Sequence, residues 1–212
     1  MTAIDTIIFD LGGVLYDIDV NITAQEFKKM GVKDMQALHL AFSEGHIYEG
    51  MDSGACNPAE FRTNVREVTG LDLTDQQIDH AWNSLLVGFP EHRVKLLLGL
   101  KKHYSILLLS NTNAIHYDYY SHKFLLDYGF GFNSLFDKAY LSYKLGMRKP
   151  GQAIYKHVIE DSELVPEKSV FIDDLSENTE AAKSTGLRAI HLNGFGDVTE
   201  LFNEFRLRED LI

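Results

Sequence analysis

Thr6-Ile7-Ile8-Phe9-Asp10-Leu11-Gly12-Gly13-Val14-Leu15 sets the pattern for the rest of the chain. An apolar run of strand length ends in an aspartate and a pair of glycines. It has no polar alternation, as expected of a parallel strand buried on both faces. The same arrangement recurs three times. Ser105-Ile106-Leu107-Leu108-Leu109-Ser110 runs into Asn111-Thr112-Asn113, and Ser169-Val170-Phe171-Ile172-Asp173 into Asp174-Leu175-Ser176. Arg188-Ala189-Ile190-His191-Leu192 ends at Asn193-Gly194, and a weaker run, Lys138 to Ser142, lies between the second and third.

Helical patterns separate these runs. Pro90 to His103 places Val94, Leu97, Leu98 and Leu100 on a face; Gly151 to Asp161 follows Pro150, a first-turn residue; Glu177 to Thr185 stops at Gly186. Strands alternating with helices give βαβ units with right-handed crossovers, hence an α/β fold with a doubly wound, Rossmann-like parallel sheet. From about Asn21 to Gly88 no buried strand is legible. The patterns there are amphipathic helices at Gln25–Met30, Met35–Phe42, Pro58–Val68 and Asp75–Leu86. Roughly seventy residues are too many for a structureless connection in a compact domain. The expected organisation is a core of residues 1–16 and 91–212, with a small helical cap, residues 17–90, inserted after the first strand.

The 212 residues carry 20 Lys+Arg against 31 Asp+Glu, a formal charge of -11. That balance argues against nucleic acid or an anionic membrane as partner. A lone cysteine, Cys56, cannot form an internal disulfide and points to a reducing compartment. Met1 to Asp10 has no basic segment of a secretory signal, and no apolar run reaches the ~20 residues of a spanning helix. The expectation is a soluble, cytoplasmic protein, monomeric or a small homo-oligomer.

Ligands of open α/β sheets bind outside the carboxyl ends of the strands. Asp10, Ser110, Asp173 and Asp174 fall at those ends. Each alone could be a helix cap. Three carboxylates and a hydroxyl on one edge point instead to a Mg²⁺ site completed by a substrate phosphate. Lys149, in Gly146-Met147-Arg148-Lys149-Pro150, can reach back to that edge and pair with a carboxylate and a phosphoryl oxygen.

These four stations resemble the motifs of the haloacid dehalogenase superfamily: Phe9-Asp10-Leu11-Gly12-Gly13-Val14-Leu15, Leu109-Ser110-Asn111, Lys149-Pro150 and Phe171-Ile172-Asp173-Asp174, in that order. Ser110-Asn111-Thr112-Asn113, Gly146 to Pro150 and Asp173-Asp174 with Asn178 are similar to the bacterial glucose-1-phosphatase-like branch, as is the helical insert. The resemblance implies a Mg²⁺-dependent phosphomonoesterase of a small phosphorylated metabolite, a sugar phosphate such as a hexose 1-phosphate. Asp10 would be the nucleophile that forms an aspartyl-phosphate. Mg²⁺ would be held by Asp10, the Gly12 carbonyl and Asp174, with help from Asp173. Ser110 and the Asn111 backbone would bind the phosphate, and Lys149 would add positive charge.

One departure stands out. The family's usual first motif has a second aspartate, its general acid and base, where this chain has Gly12. A glycine can lend a carbonyl but cannot move a proton, and losing such a group costs ~10²–10⁴ in rate. Rates should then depend steeply on the leaving group. Whether an aspartate would fit depends on the backbone angles at Gly12. Asp17 and Asp19 could substitute or be solvated linker carboxylates. The alternatives to a phosphatase are a metal-independent dehalogenase, against which Asp173-Asp174 argues, and an inactive phosphometabolite-binding or regulatory protein. His116 and the run Tyr117, Tyr119, Tyr120 read as packing residues. His46, Tyr48 and Glu49, among glycines, read as a loop that could meet the substrate.

Overall fold

The computed structural model describes residues 3–193 and 196–211, so Gly194 and the extreme termini lie outside the described residues. The strands are β1 (Thr6–Phe9), β2 (Asp17–Ile18), β3 (Leu86–Gly88), β4 (Ser105–Ser110), β5 (Lys138–Leu141), β6 (Ser169–Asp173), β7 (Arg188–His191), β8 (Phe202–Asn203) and β9 (Arg206–Leu207). Five of them form a parallel sheet in the order β5-β4-β1-β6-β7. The chain winds outward from central β1 in one direction and then in the other, so the crevice beside β1 is the binding place of a doubly wound sheet.

The unbroken apolar runs are explained by the two faces. Ile7, Phe9, Ile106, Leu108, Val170 and Ile172 pack into one core, while Ile8, Leu107, Leu109 and Phe171 pack into another. Helices α6 (Glu91–Leu100) and α7 (Ala114–Tyr128) cover the first face, with Val94, Leu97, Tyr120 and Phe124 buried. Helices α9 (Gln152–Asp161) and α10 (Ser176–Lys183) cover the second with Ile154, Tyr155, Val158 and Ala182. A short α8 (Ser142–Leu145) follows β5.

Between β2 and β3 lie α1 (Val20–Lys29), α2 (Met35–Glu44), α3 (Ile47–Ser53), α4 (Pro58–Thr69) and α5 (Asp75–Asn83). They enclose a separate core of Phe27, Leu38, Phe42, Phe61, Val65, Ile78 and Trp82. Capping boxes start α4 at Asn57 and α5 at Thr74. Three sequence expectations are corrected here, and one helix is added. The stretch around Tyr48 and Glu49 is helix α3, not a loop. Asp75–Leu86 divides into α5 and β3, which pairs antiparallel with β2 where the chain enters and leaves the insert. The long α7 had no assigned pattern, and α9 starts beyond Pro150, with Gly151 as its N-cap. Among the described residues no helix is long and apolar enough to cross a membrane.

Candidate active site

Asp10 follows β1 directly, Ser110 ends β4, Asp173 ends β6 and Asp174 follows it, so the sheet register carries all four to one edge. Lys149 reaches them from the segment after α8. Its ammonium is 1% exposed and donates to Asp10 Oδ1 at 2.7 Å and Asp173 Oδ2 at 2.6 Å, above the Phe171 ring. Burial alone would lower the lysine pKa, but the two carboxylates outweigh it and the pKa is raised. Burial pushes the Asp10 carboxyl up to about 6 against the opposing pull of Lys149. Burial and the neighbouring Asp173 also raise Asp174.

Lys149 is held by more than its charge. The Asn111 side chain accepts from the Lys149 N–H at 2.9 Å and donates to the Lys149 carbonyl at 2.9 Å. Asn178 donates to both Asp173 oxygens at 3.0 Å, and the Leu175 N–H donates to Oδ1 at 2.8 Å. Both Asp173 oxygens are thus engaged. The Ser110 hydroxyl makes only a long 3.4 Å contact to the Asn111 carbonyl.

The residues suit a hard divalent cation. Asp10, Asp173 and Asp174 bring carboxylate oxygens within 4.8 Å of one another, an oxygen-only donor set. Gly13, at φ +76°, leaves open the space into which the Asp174 carboxylate fits; a β-carbon there would collide with it. Nothing local in the sequence marks this place of Gly13, nor the clamp made by the Asn111 side chain in addition to its backbone.

Gly12 has an ordinary backbone conformation, and a β-carbon there would meet Ile18 Cδ1 at 3.5 Å, a normal contact. Asp17 and Asp19 are both engaged. Asp17 accepts from Arg93 Nη1 at 2.8 Å, while Arg93 also binds Asp197; Asp19 caps α1 through the Asn21 N–H at 2.9 Å. His116 stacks on Trp82 with ring centroids 5.1 Å apart, and its Nδ1 lies 2.8 Å from Asn83 Oδ1, joining α7 to α5. Tyr120 is buried against Tyr16, Tyr117 and Phe132.

A buried lysine between two carboxylates, beside a third in a glycine cradle at the carboxyl edge of a parallel sheet, defines a phosphoryl-transfer class of hydrolase. Comparison with known proteins agrees. The family model for haloacid dehalogenase-like hydrolases matches residues 4–186. D-ribitol-5-phosphate phosphatase of Bacteroides thetaiotaomicron is 33% identical over 183 residues, 86% of this chain and 89% of that protein. A haloacid dehalogenase family enzyme of the same organism, solved with magnesium and inorganic phosphate, superposes with a TM-score of 0.85 at 36% identity, covering 95% of this chain and 100% of that one. A predicted hydrolase of this type from Porphyromonas gingivalis gives a TM-score of 0.81 at 32% identity over 90% of this chain and 91% of its own. The chain belongs to the haloacid dehalogenase-like hydrolase family. It is a phosphatase of that type, with Mg²⁺ as its cofactor.

Proposed function

We propose that the chain hydrolyses a small sugar or polyol phosphate, hexose 1-phosphates included, through an aspartyl-phosphate on Asp10. The observation that carries this reading is the Lys149 ammonium fixed between Asp10 and Asp173, with Asp174 in ligand range. The resemblance to the glucose-1-phosphatase-like branch and the name of the ribitol-phosphate relative support the substrate class.

In this reading residues 17–90 are the cap over a core of 1–16 and 91–212. Asp10 attacks phosphorus in line, and the bond to the leaving oxygen breaks. Lys149 balances the charge of Asp10 and the phosphoryl group in a chain of net charge -11. Ser110 and the Asn111 N–H donate to phosphoryl oxygens. Asp173, held by Asn178, keeps Lys149 in place. Asp10, the Gly12 carbonyl and Asp174 would hold Mg²⁺, which when bound neutralises charge on the phosphoryl oxygens.

The test is phosphate release from hexose 1-phosphates, hexose 6-phosphates and pentitol 5-phosphates, with Mg²⁺ and with chelator. Release that needs Mg²⁺ and disappears in Asp10→Asn is expected. A folded protein that binds Mg²⁺ but releases phosphate from none of these esters overturns the reading in favour of a binding protein.

A further inference from the structure

Lys149 stands on a stretch of chain outside helix and strand, since α8 ends at Leu145 and α9 begins at Gln152. No ladder or helical turn fixes its backbone, and the peptide groups of a buried residue still need partners. For Lys149 both partners come from one side chain. Its N–H donates to Asn111 Oδ1 at 2.9 Å, and its carbonyl accepts from Asn111 Nδ2 at 2.9 Å. We propose that the Asn111 side chain is a positioning residue of this enzyme: by fixing the backbone of Lys149 it sets the lysine ammonium against Asp10 and the phosphoryl group.

The need for such a clamp lies in the lysine itself, whose ammonium rides on a long, flexible stem. At rest that ammonium is held by Asp10 Oδ1 at 2.7 Å and Asp173 Oδ2 at 2.6 Å. One of those partners changes during the reaction. Once Asp10 has bonded to phosphorus and the ester oxygen has left, the Asp10 carboxylate charge is gone and the ammonium turns to the phosphoryl oxygens. The two amide hydrogen bonds of Asn111 are made with uncharged groups and do not change with that step. The backbone of Lys149 therefore stays in place while the partner of its ammonium is exchanged.

Asn111 is itself held. It follows Ser110, the last residue of β4, and its other neighbour, Thr112, is bridged in the same reciprocal way. The Thr112 N–H donates to the Ser142 hydroxyl oxygen at 2.9 Å, and that hydroxyl donates to the Thr112 carbonyl at 3.0 Å. Ser142 is fully buried at the start of α8. The loop after β4 is thus tied to residues 142–149 at two points, each a donor with an acceptor. An amide side chain is the type that this needs, because it offers an acceptor and a donor together. In the phosphatase reading above, on which the inference rests, the Asn111 N–H also meets a phosphoryl oxygen. One residue then registers the phosphate and the lysine on each other.

The experiment measures steady-state and single-turnover cleavage of a dinitrophenyl phosphate ester at saturating Mg²⁺, an ester reactive enough to keep slow variants measurable. The enzymes are the parent, Asn111→Ala, Asn111→Leu, Lys149→Met and the double variant Asn111→Ala with Lys149→Met. Asn111→Ala should lose ~10²-fold in kcat, the cost of misplacing a reacting group by about 1 Å. KM should change far less, because the backbone N–H of residue 111 remains. Asn111→Leu fills the same space without a hydrogen bond and should lose as much; each of these two variants stands in for the other if one fails to fold. In the Lys149→Met background Asn111→Ala should cost less than ~10-fold more, since the ammonium that it positions is gone. A merely structural asparagine would cost the same in both backgrounds. That result, an Asn111→Leu enzyme at the parent rate, or a rise in KM with kcat unchanged overturns the proposal. A parent that cleaves no ester overturns the phosphatase reading, and the assignment falls with it.

Discussion

The Asp174 carboxylate occupies the space in which a Gly13 side chain would begin. A glycine is required there twice over, by that contact and by a φ of +76°. Gly13→Ala should therefore displace Asp174 and weaken Mg²⁺ binding by ~10–100-fold, the usual range when a ligand's support is lost. The measurement is the Mg²⁺ concentration dependence of the melting temperature, which needs no substrate. An unchanged dependence would detach Asp174 from the metal.

Removing the charge of Lys149 leaves Asp10 and Asp173 facing one another in a buried site. Lys149→Met should cost about 3–5 kcal/mol, the range for breaking a buried pair. Asp10 is already raised to about 6, and losing the lysine raises it further. A carboxyl raised in the folded state loses stability as pH climbs from its unfolded value through its folded one. The destabilisation should consequently be smaller at pH 5 than at pH 8. Urea denaturation at the two pH values checks this, and an equal loss at both would mean that Asp10 does not take up the charge.

His116 gives the opposite slope. Burial lowers its pKa to about 3 from an ordinary value near 6.5, so only the unfolded chain binds that proton between the two. Folding stability should fall as pH drops through this window, by at most about 1.4 kcal/mol per pH unit for one proton. His116→Phe keeps a ring against Trp82 and should flatten that part of the curve. It gives up the contact with Asn83, about 1 kcal/mol at neutral pH. An unchanged slope in thermal denaturation would mean that other groups set it.

The parallel sheet and its reactive edge were legible because each lies within one short stretch of chain. Asp10, Ser110 and Asp173 end apolar runs, and the two-faced burial of those runs follows from their lack of alternation. The supports of the site were not legible, since they join residues with no local pattern between them. Asn111 clamps the backbone of Lys149, Asn83 meets His116, and Glu49 on α3 meets Arg148. Helix α3 hid for a related reason. Gly45, Gly50 and Gly54 read as a loop, yet its packing on α8 demands a glycine at the crossing and holds the helix in place.

Gly12→Asp tests how the leaving oxygen is protonated. The sequence left open whether aspartate could sit there. The ordinary φ of Gly12 and the 3.5 Å spacing to Ile18 leave room for its β-carbon. A carboxylate at position 12 rises from the same turn as Asp10 and can protonate the leaving oxygen from the core side. The variant should gain at least ~10-fold on alkyl esters, a fraction of what a general acid supplies. It should gain nothing on a dinitrophenyl ester, where no proton is needed. Single-turnover rates on the two esters give the answer. A gain on both would mean that the new carboxylate changes the structure of the site and not its proton transfer.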